Sequence, residues 1–435
     1  MWSFTASLAG FLFGFDTVVI SGANLPIKEL WHTSPWFHGA FIMSMALWGT
    51  VLGSLLGGIP SQRIGRKKTL IWIGALYFIS AIGSGLAPDP YSFSFFRFIG
   101  GLGVGASTVA GPMYISEIST AKNRGRLVAL YQFNLVLGIL IAFFSNYLLK
   151  GFDGANDWRW MMGVEGLPAA IYFVSVFFIP KSPRWLVTEK HDKEAARKVL
   201  VKMGVENVEA ELQQIEDAEN IEEKQEESIF VKYRKPLLLA FLIAFFNQLS
   251  GINFVLYYAP EILEIAGLAA KESLFNSIAI GGVNLIFTFV GINLIDRIGR
   301  RQLLIIGSIG YILSLLMIAF SFYSGLGAGA LLVSIMAFIA SHAVGQGAII
   351  WVFIAEIFPN HARAYGTSWG TGTHWVFAAL ITLLGPVVID IFKENPWPIF
   401  LVFAVMMVFQ LLFALFMMPE TKGVSLEDIQ KKLGM

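Results

Sequence analysis

Residues 181–235 read KSPRWLVTEKHDKEAARKVLVKMGVENVEAELQQIEDAENIEEKQEESIFVKYRK, a stretch dense in charged residues between two long apolar regions. Its apolar residues are spaced as in short amphipathic helices, so we expect a solvated helical insert. Apolar runs long enough to span a bilayer, about 20 residues each, lie on both sides of it. They fall near 3–24, 39–60, 69–87, 91–115, 127–149 and 163–180 before the insert, and near 236–266, 274–295, 303–323, 327–354, 365–391 and 396–418 after it. The sequence therefore predicts twelve transmembrane helices in two sets of six.

The composition of the chain indicates the same fold class. Of its 435 residues, 56% are hydrophobic and only 14% are charged, which is more apolar surface than one or two soluble cores bury. We therefore expect an all-α integral membrane protein surrounded by the lipid bilayer. The first segment, MWSFTASLAG, lacks the basic residues that begin a cleaved signal peptide, so we interpret it as part of a retained helix.

Charge and residue types exclude several function classes. A formal net charge of +1 argues against nucleic acid as a partner. The absence of cysteine excludes disulfides, thiolate metal sites and cysteine nucleophiles. No metal-ligand cluster or catalytic nucleophile arrangement is recognisable, and the glycines of GGLGVG lie in an apolar run, where they favour close helix packing. The sequence thus predicts neither an enzyme nor a metal or other cofactor.

Short basic loops fall on one side of the predicted bundle. RIGRKK follows the second predicted helix, KNRGR the fourth, RIGRR the eighth and HAR the tenth. Because lysine and arginine concentrate in cytoplasmic loops, we expect this side to be cytoplasmic, together with the insert and both termini.

The two sets of helices carry matching segments. QRIGRK at 62–67 corresponds to DRIGRR at 296–301, and YISEISTAKNRG at 114–125 corresponds to FIAEIFPNHARA at 353–364. Each segment alone is explained by the basic bias of cytoplasmic loops. Two copies in register, however, indicate duplicated halves of an alternating-access transporter.

This duplication suggests boundaries and a gate. We expect a six-helix half over 1–180, the insert over 181–235, a second half over 236–418 and a short tail over 419–435. Charges in the matching loops are expected to meet when the inner ends of the halves close and to part when they open. These cytoplasmic gate residues are Arg66, Glu117, Arg124, Arg300, Glu356 and Arg363. Exposed pairs of this kind contribute about 0.2–1 kcal/mol each.

Several stretches, spread over the whole chain, resemble one known family. They are GFLFGFDTVVISG, RIGRKK, RFIGGLGVGASTVAGPMYISEIS, NRGRL, PKSPRWL, NQLSGINFVLYYAPEI, DRIGRR, WVFIAEIFP and PETKG. All are similar to motifs of the sugar porters of the major facilitator superfamily. The chain departs from the usual pattern at Gln62, Lys181 and Asn247, where relatives carry Asp, Glu and Gln. The resemblance implies the major facilitator fold and a monosaccharide as the transported molecule.

Amide side chains in the seventh predicted helix suit such a molecule. A monosaccharide presents hydroxyl groups that donate and accept hydrogen bonds, and amides do both. FNQLSGIN supplies Asn247, Gln248 and Asn253, and the last two lie about 140° apart on an ideal helix. Gly251 between them permits local unwinding that would turn both toward one ligand. The alternative interpretation is that these amides bond to neighbouring helices and hold the bundle together.

The resemblance extends the site beyond this helix. It implies sugar hydroxyl ligands at Gln132, Gln248, Asn253 and Asn284, with Asn247 as a shorter replacement at a further ligand position. It also implies aromatic walls at Trp351 and Trp375, a further contact at Phe13, an outer lid at Tyr257 and Tyr258, and His374 where relatives often carry Gln or Asn.

Three ionisable residues, Asp16, Arg97 and Glu165, lie in apolar stretches away from the predicted cytoplasmic ends. Arg97 keeps its proton and needs a counter-ion, for which Asp16 is the obvious candidate. Either the two form a permanent ion pair between helices, or protonation of Asp16 releases Arg97 and permits movement. By resemblance Glu165 belongs to the same proton pathway, although its position near a predicted helix end also allows it to be solvated.

The position of Asp16 bears on the mode of transport. Proton-coupled bacterial sugar symporters resemble this chain in carrying Asp there with a matching Arg, whereas mammalian facilitative glucose carriers have Asn. We therefore expect a symporter of protons and a hexose, pentose or cyclic polyol, acting as a monomer in a bacterial inner membrane. A proton-independent uniporter is the alternative. A non-transporting sugar sensor is disfavoured because the predicted tail is short.

Overall fold

Helices and short loops build the described chain, which in this computed structural model comprises residues 1–120, 123–222 and 233–424 together with Ile429 and Leu433. Before the insert lie α1 (Trp2–Leu30), α2 (Pro35–Leu56), α3 (Arg66–Leu86), α4 (Pro90–Glu117), α5 (Arg124–Leu149), α6a (Asp157–Gly163) and α6b (Gly166–Val176). After it lie α7a (Arg234–Leu249), α7b (Ile252–Ile265), α8 (Ala270–Ile298), α9 (Arg300–Ser324), α10a (Ala328–Val344), α10b (Gln346–Glu356), α11 (Asn360–Ile391) and α12 (Trp397–Phe416). Within the described ranges, eleven spans are long and apolar enough to cross a membrane, with α7 and α10 each counted once.

The remaining span, the sixth, differs from the prediction of one helix over 163–180. It starts earlier, and it is divided because α6a ends at Gly163 and α6b begins at Gly166. Pro168 has no N–H to bond the carbonyl four residues before it, and glycine has a low helix propensity. The break leaves Glu165 between two short helical pieces.

The seventh span is also broken, at the place that the sequence predicted. Helix α7a ends at Leu249, and α7b begins at Ile252 after Gly251, whose φ is +84°. A β-carbon on Gly251 would lie 2.6 Å from the ring of Phe403. Both the backbone conformation and the contact therefore require glycine, and the expected unwinding of this helix is confirmed.

The insert folds into short helices of its own, as the sequence predicted. They are Pro183–Thr188, Lys193–Met203 and Val208–Glu222. Trp185, Leu200 and Leu212 are buried in a small core separate from the membrane helices. The Trp185 indole N–H donates to the carbonyl of Gln62 at 2.6 Å, which ties the insert to the short helix Gly58–Arg63 between α2 and α3. We call this end of the bundle the insert side and the other end the far side.

Contacts between the two sets of helices are uneven along the bundle. Helix α1 packs against α7b, α2 against α11, and α5 against α8. Helices α7a and α10b, which lie toward the insert side, pack chiefly on helices of their own set, namely α11, α12, α8 and α9. The structure is therefore closed by α7b on the far side.

Candidate functional site

A buried charge cluster lies where α1, α4 and the break in α6 meet. Asp16, Arg97 and Glu165 are 2%, 1% and 1% exposed. Arg97 Nη1 donates to Asp16 Oδ1 at 2.5 Å, and Arg97 Nη2 donates to the Asp16 carbonyl at 3.1 Å. The sequence-based pairing of Asp16 with Arg97 is thus present in the structure.

Glu165 completes this cluster. It lies close enough to interact electrostatically with both Asp16 and Arg97, and its burial excludes the alternative of a solvated helix end. Among the described residues, Glu165 Oε1 and Arg97 Nε have no hydrogen-bond partner. Two buried acidic groups, of which only Asp16 bonds Arg97, therefore lie around a single arginine.

A continuous line of aromatic rings begins on α1 at Phe13, one helical turn before Asp16. Phe13 and Trp375 have ring centroids 5.5 Å apart, Trp375 and His374 are 4.8 Å apart, and His374 and Trp351 are 4.9 Å apart. The line joins α1 to α11 and α10b. Phe13 precedes Asp16 by three residues on the same helix, so the charge cluster and the aromatic line share α1.

The amides at the end of α7a contact this aromatic line. Gln248 Nε2 lies 3.2 and 3.1 Å from the two ring nitrogens of His374 and donates to Asn247 Oδ1 at 3.0 Å. Asn247 Nδ2 donates in turn to Gln346 Oε1 at 3.4 Å. Gln248 Oε1 and Trp375 Nε1 are buried and have no partner among the described residues. An acceptor and a donor are thus left unused beside the aromatic rings.

The other predicted amide ligands are not joined to this group by any hydrogen bond. Asn253 on α7b and Asn284 on α8 are 8% and 4% exposed, and Gln132 on α5 is half-buried. Within the described chain none of the three amides bonds to another group. Their amides are therefore free for a ligand, although no contact in the structure assigns them to one.

The two predicted lid tyrosines are buried on the far side. Tyr257 and Tyr258 are 1% and 0% exposed, and the Tyr258 hydroxyl donates to the carbonyl of Thr382 on α11 at 2.6 Å. Helix α7b therefore lies closed over the space beneath it.

Next to this lid is a polar contact that the sequence analysis missed. Asn24 Nδ2 on α1 donates to Glu261 Oε2 on α7b at 2.7 Å, and His38 Nε2 donates to Asn24 Oδ1 at 2.8 Å. Thr33 Oγ1 lies 2.8 Å from His38 Nδ1. In the sequence, only the position of Glu261, an acidic residue within the apolar run of the seventh helix, indicated such a contact.

The predicted gate charges on the insert side form two matching pairs. Arg66 bonds Glu117 through Nε and Nη2 at 2.9–3.1 Å. Arg300 bonds Glu356 in the same way at 3.1 and 2.8 Å. The sequence analysis expected contacts between the halves, whereas each of these pairs lies within one half. Bidentate bonds hold each arginine on the nearest acid of its own repeat.

The remaining two arginines of the predicted gate differ from these. Arg363 donates from Nε to the carbonyl of Ala355 at 2.9 Å rather than to Glu356. The side chain of Arg124 lies outside the described residues.

The PETKG motif connects the end of α12 to this second pair. Glu420 accepts hydrogen bonds from the backbone N–H groups of Arg300, Arg301, Thr421 and Lys422 at 2.9–3.0 Å. Burial of Glu420 opposes ionisation, but these four bonds outweigh it and hold the pKa of the carboxyl below its usual range. The Thr421 hydroxyl donates to Glu356 Oε2 at 2.6 Å. Glu420 therefore caps the start of α9 with a negative charge.

Comparison with known proteins agrees with this architecture. A family model described as "Sugar (and other) transporter" matches residues 2–433. The chain belongs to this sugar transporter family. An arabinose-proton symporter of Bacillus subtilis is 37% identical over 443 residues, which cover 99% of this chain and 94% of the relative. Family membership makes the chain a multi-pass membrane transporter rather than an enzyme.

Two solved structures of the xylose transporter XylE from Escherichia coli fit the chain closely. A partially occluded inward-open structure is 29% identical, covers 98% of both chains and gives a TM-score of 0.87. The proton:xylose symporter XylE bound to 6-bromo-6-deoxy-D-glucose is 29% identical, covers 99% of this chain and 98% of that one, and gives 0.83. The sugar transporter family member described here thus has the major facilitator fold.

Proposed function

We propose that this chain transports a monosaccharide by alternating access and couples that movement to entry of a proton. The substrate is a hexose, pentose or cyclic polyol. The observation that carries the proton coupling is the buried Asp16–Arg97 ion pair with Glu165 beside it. A proton-independent uniporter has no need of two buried acids around one guanidinium.

Charge balance supports a proton on this cluster. With both carboxyl groups ionised, the cluster carries one negative charge that Arg97 does not neutralise, and an uncompensated buried charge is costly. One proton on the acid pair makes the cluster neutral. Its release requires contact with water, which in this proposal comes when one side of the protein opens. Binding and release on opposite sides then moves a proton across the membrane.

The aromatic line couples the sugar to this proton. Phe13 lies one turn from Asp16 and against Trp375, so a sugar packed on these rings contacts the helix that carries the proton-binding acid. Gln248 Oε1 and Trp375 Nε1 offer the sugar an acceptor and a donor. In this proposal Gln132, Asn253 and Asn284 bind other hydroxyl groups from the opposite walls. Asn247 and His374 then act mainly by holding Gln248.

The energy available from one proton is sufficient for accumulation. A proton that enters across a membrane potential of about 100 mV releases roughly 2.3 kcal/mol. At about 1.4 kcal/mol per tenfold ratio, this concentrates a neutral sugar by roughly 40-fold.

The moving parts in this proposal are the halves over 1–180 and 236–418, with residues 181–235 as an insert and 419–435 as a tail. Tyr257 and Tyr258 cover the site on the far side. The pairs Arg66–Glu117 and Arg300–Glu356 stay intact as each half moves and brace its own loops. Arg124 and Arg363, at corresponding repeat positions, are the candidates for contacts between the halves.

The proposal also includes a topology and an assembly state. The insert side and both termini face the cytoplasm, because the short basic loops lie there. The protein acts as a monomer in the lipid bilayer of a bacterial inner membrane.

Transport in proteoliposomes tests this function. Purified protein is reconstituted and offered D-glucose, D-galactose, D-xylose and L-arabinose, with and without an imposed proton gradient. We expect at least one sugar to accumulate above its outside concentration only when the gradient is present. A sugar that equilibrates equally with and without the gradient would indicate the uniporter, and no uptake of any sugar would contradict sugar transport.

A further inference from the structure

A row of buried polar side chains runs through the second half toward the candidate sugar site. It starts at Ser308 on α9 and continues through Gln410 on α12 and Gln346 on α10b to Asn247 and Gln248 on α7a. All five are at most 2% exposed. The row crosses four spans, and its last member faces His374. Gln346 and Gln410 carry no role in the function proposed above.

Ser308, the first residue of the row, determines the donor-to-acceptor direction of the hydrogen bonds along it. The Ser308 hydroxyl donates its single proton to the carbonyl of Leu304 at 2.7 Å. Ser308 therefore acts as the acceptor toward Gln410, whose Nε2 donates to it at 2.9 Å. Gln410 consequently turns its oxygen to Gln346, and Gln346 Nε2 donates to Gln410 Oε1 at 2.8 Å.

The same direction continues to the end of the row. Gln346 Oε1 accepts from Asn247 Nδ2 at 3.4 Å, and Asn247 Oδ1 accepts from Gln248 Nε2 at 3.0 Å. Gln248 Nε2 also faces the ring nitrogens of His374, at 3.1 and 3.2 Å. Both amide hydrogens of Gln248 thus have acceptors within the protein. Its Oε1 is buried and has no partner among the described residues.

A reversed Gln248 amide is disfavoured by its neighbours. It would place Gln248 Oε1 against Asn247 Oδ1, and Asn247 cannot turn in response because Gln346 Oε1 already requires the Asn247 N–H group. The constraint extends to Ser308, where the hydroxyl proton is committed to a backbone carbonyl. Each member of the row therefore fixes the orientation of the next.

We propose that Gln346 and Gln410 are positioning residues that determine specificity, because they hold Gln248 with only its carbonyl oxygen available to the sugar. This inference rests on the proposed sugar site. The hydroxyl group that meets Gln248 must then donate a hydrogen bond. A second hydroxyl accepts from Trp375 Nε1, the unpartnered donor on the ring that packs against His374. The protein thus distinguishes sugars by the direction of a hydrogen bond as well as by the presence of a hydroxyl.

Deoxy and deoxyfluoro sugars test this direction, because fluorine in place of a hydroxyl does not donate. The sugar is first identified by counterflow in proteoliposomes with D-glucose, D-galactose, D-xylose and L-arabinose. Its single deoxy and deoxyfluoro analogues are then used as competitors. For the wild type we expect one ring position at which the fluoro analogue is as weak as the deoxy analogue, each about tenfold below the parent sugar.

Variants of the row should change this pattern. Gln346→Met removes the acceptor of Asn247 Nδ2, so Asn247 and then Gln248 can turn and present an N–H to the sugar. We expect the fluoro analogue to improve relative to the deoxy analogue at that position. Gln410→Met should act in the same direction but less, because the Ile243 carbonyl still lies 3.4 Å from Gln346 Nε2. Ser314→Ala is the matched control, since Ser314 is buried on α9 outside the row.

The outcomes separate the inference from the function on which it rests. A wild type that binds none of the sugars contradicts both. A wild type that binds sugar but tolerates fluorine at every position contradicts the orientation of Gln248. Unchanged analogue ratios in the Gln346→Met and Gln410→Met variants contradict the role of the row, and either variant decides this if the other does not fold.

Discussion

Asn24 on α1 donates a hydrogen bond of 2.7 Å to Glu261 on α7b, and this contact joins the two halves of the protein on the far side. The Asn24 carbonyl oxygen accepts from His38, so the amide has a partner at each end. Glu261 is 8% exposed. Opening of the far side must separate Asn24 from Glu261, so this contact favours the state in which that side is closed.

Removal of the amide should favour opening. In Asn24→Leu, the buried Glu261 carboxyl loses its hydrogen bond, and it regains a partner when opening admits water. The loss of a partner for a buried polar group costs about 1–3 kcal/mol, so we expect the ratio of open to closed forms to rise by roughly 5- to 150-fold. Because the sequence contains no cysteine, spin labels attach only at the two exposed positions of a Glu29→Cys and Lys271→Cys double variant. Double electron–electron resonance then measures the distance between the two labels.

The control for this change is Asn146→Leu. Asn146 is also a buried amide, but it donates to the Val19 carbonyl within the first half. We expect longer label distances in Asn24→Leu and not in Asn146→Leu. An unchanged distance distribution in Asn24→Leu would show that the contact does not hold the far side closed.

Substitution of Glu165 should shift the pH dependence of accumulation. Glu165→Gln keeps the size of the side chain but removes the negative charge that helps the cluster to bind a proton. Asp16 then pairs with Arg97 alone, and we expect uphill uptake to require a more acidic outside solution. Initial uptake rates measured across an outside pH series check this shift. The control is Glu264→Gln, a change at an acid on α7b outside the cluster, which should leave the pH dependence of uptake as in the wild type. A wild-type pH dependence in Glu165→Gln would show that Glu165 is not part of the proton pathway.

The cap at Glu420 predicts a separate effect on stability. Its pKa is lowered from the ordinary value of 4.5, so its contribution is present above that pH and is lost as the pH falls below it. We expect Glu420→Gln to lower the free energy of unfolding at neutral pH by about 1 kcal/mol. Melting temperatures in detergent should differ at pH 7 and converge below pH 4.5 as the wild type loses the charge. The same pH-dependent loss in Glu394→Gln, a change at an exposed acid, would contradict a specific cap.

The parts of the fold that depend on local patterns could be predicted from sequence. Apolar runs of membrane-spanning length gave the spans, and Gly251 marked the break in α7 because only glycine adopts its backbone conformation readily. The pairing of Asp16 with Arg97 followed from the cost of leaving a buried arginine without a counter-ion.

Contacts that depend on distant packing could not be predicted in the same way. Asn24 and Glu261 are 237 residues apart in sequence, and Gln346 and Gln410 are 64 apart. Nothing in the sequence around any of these four residues indicates which partner its side chain contacts. The break at Glu165 had a signal in Pro168 and the neighbouring glycines, but the burial of Glu165 depends on how two short helical pieces pack against α1 and α4.

Simultaneous measurement of sugar and proton movement with the wild type and Asp16→Asn tests the central claim most directly. In proteoliposomes at about 100 mV, the wild type should take up protons when sugar is added and should approach a sugar ratio of roughly 40. Asp16→Asn should do neither, while sugar counterflow continues because the aromatic and amide groups remain in place. Accumulation of sugar against its gradient by Asp16→Asn, or sugar uptake by the wild type without proton uptake, would contradict the account.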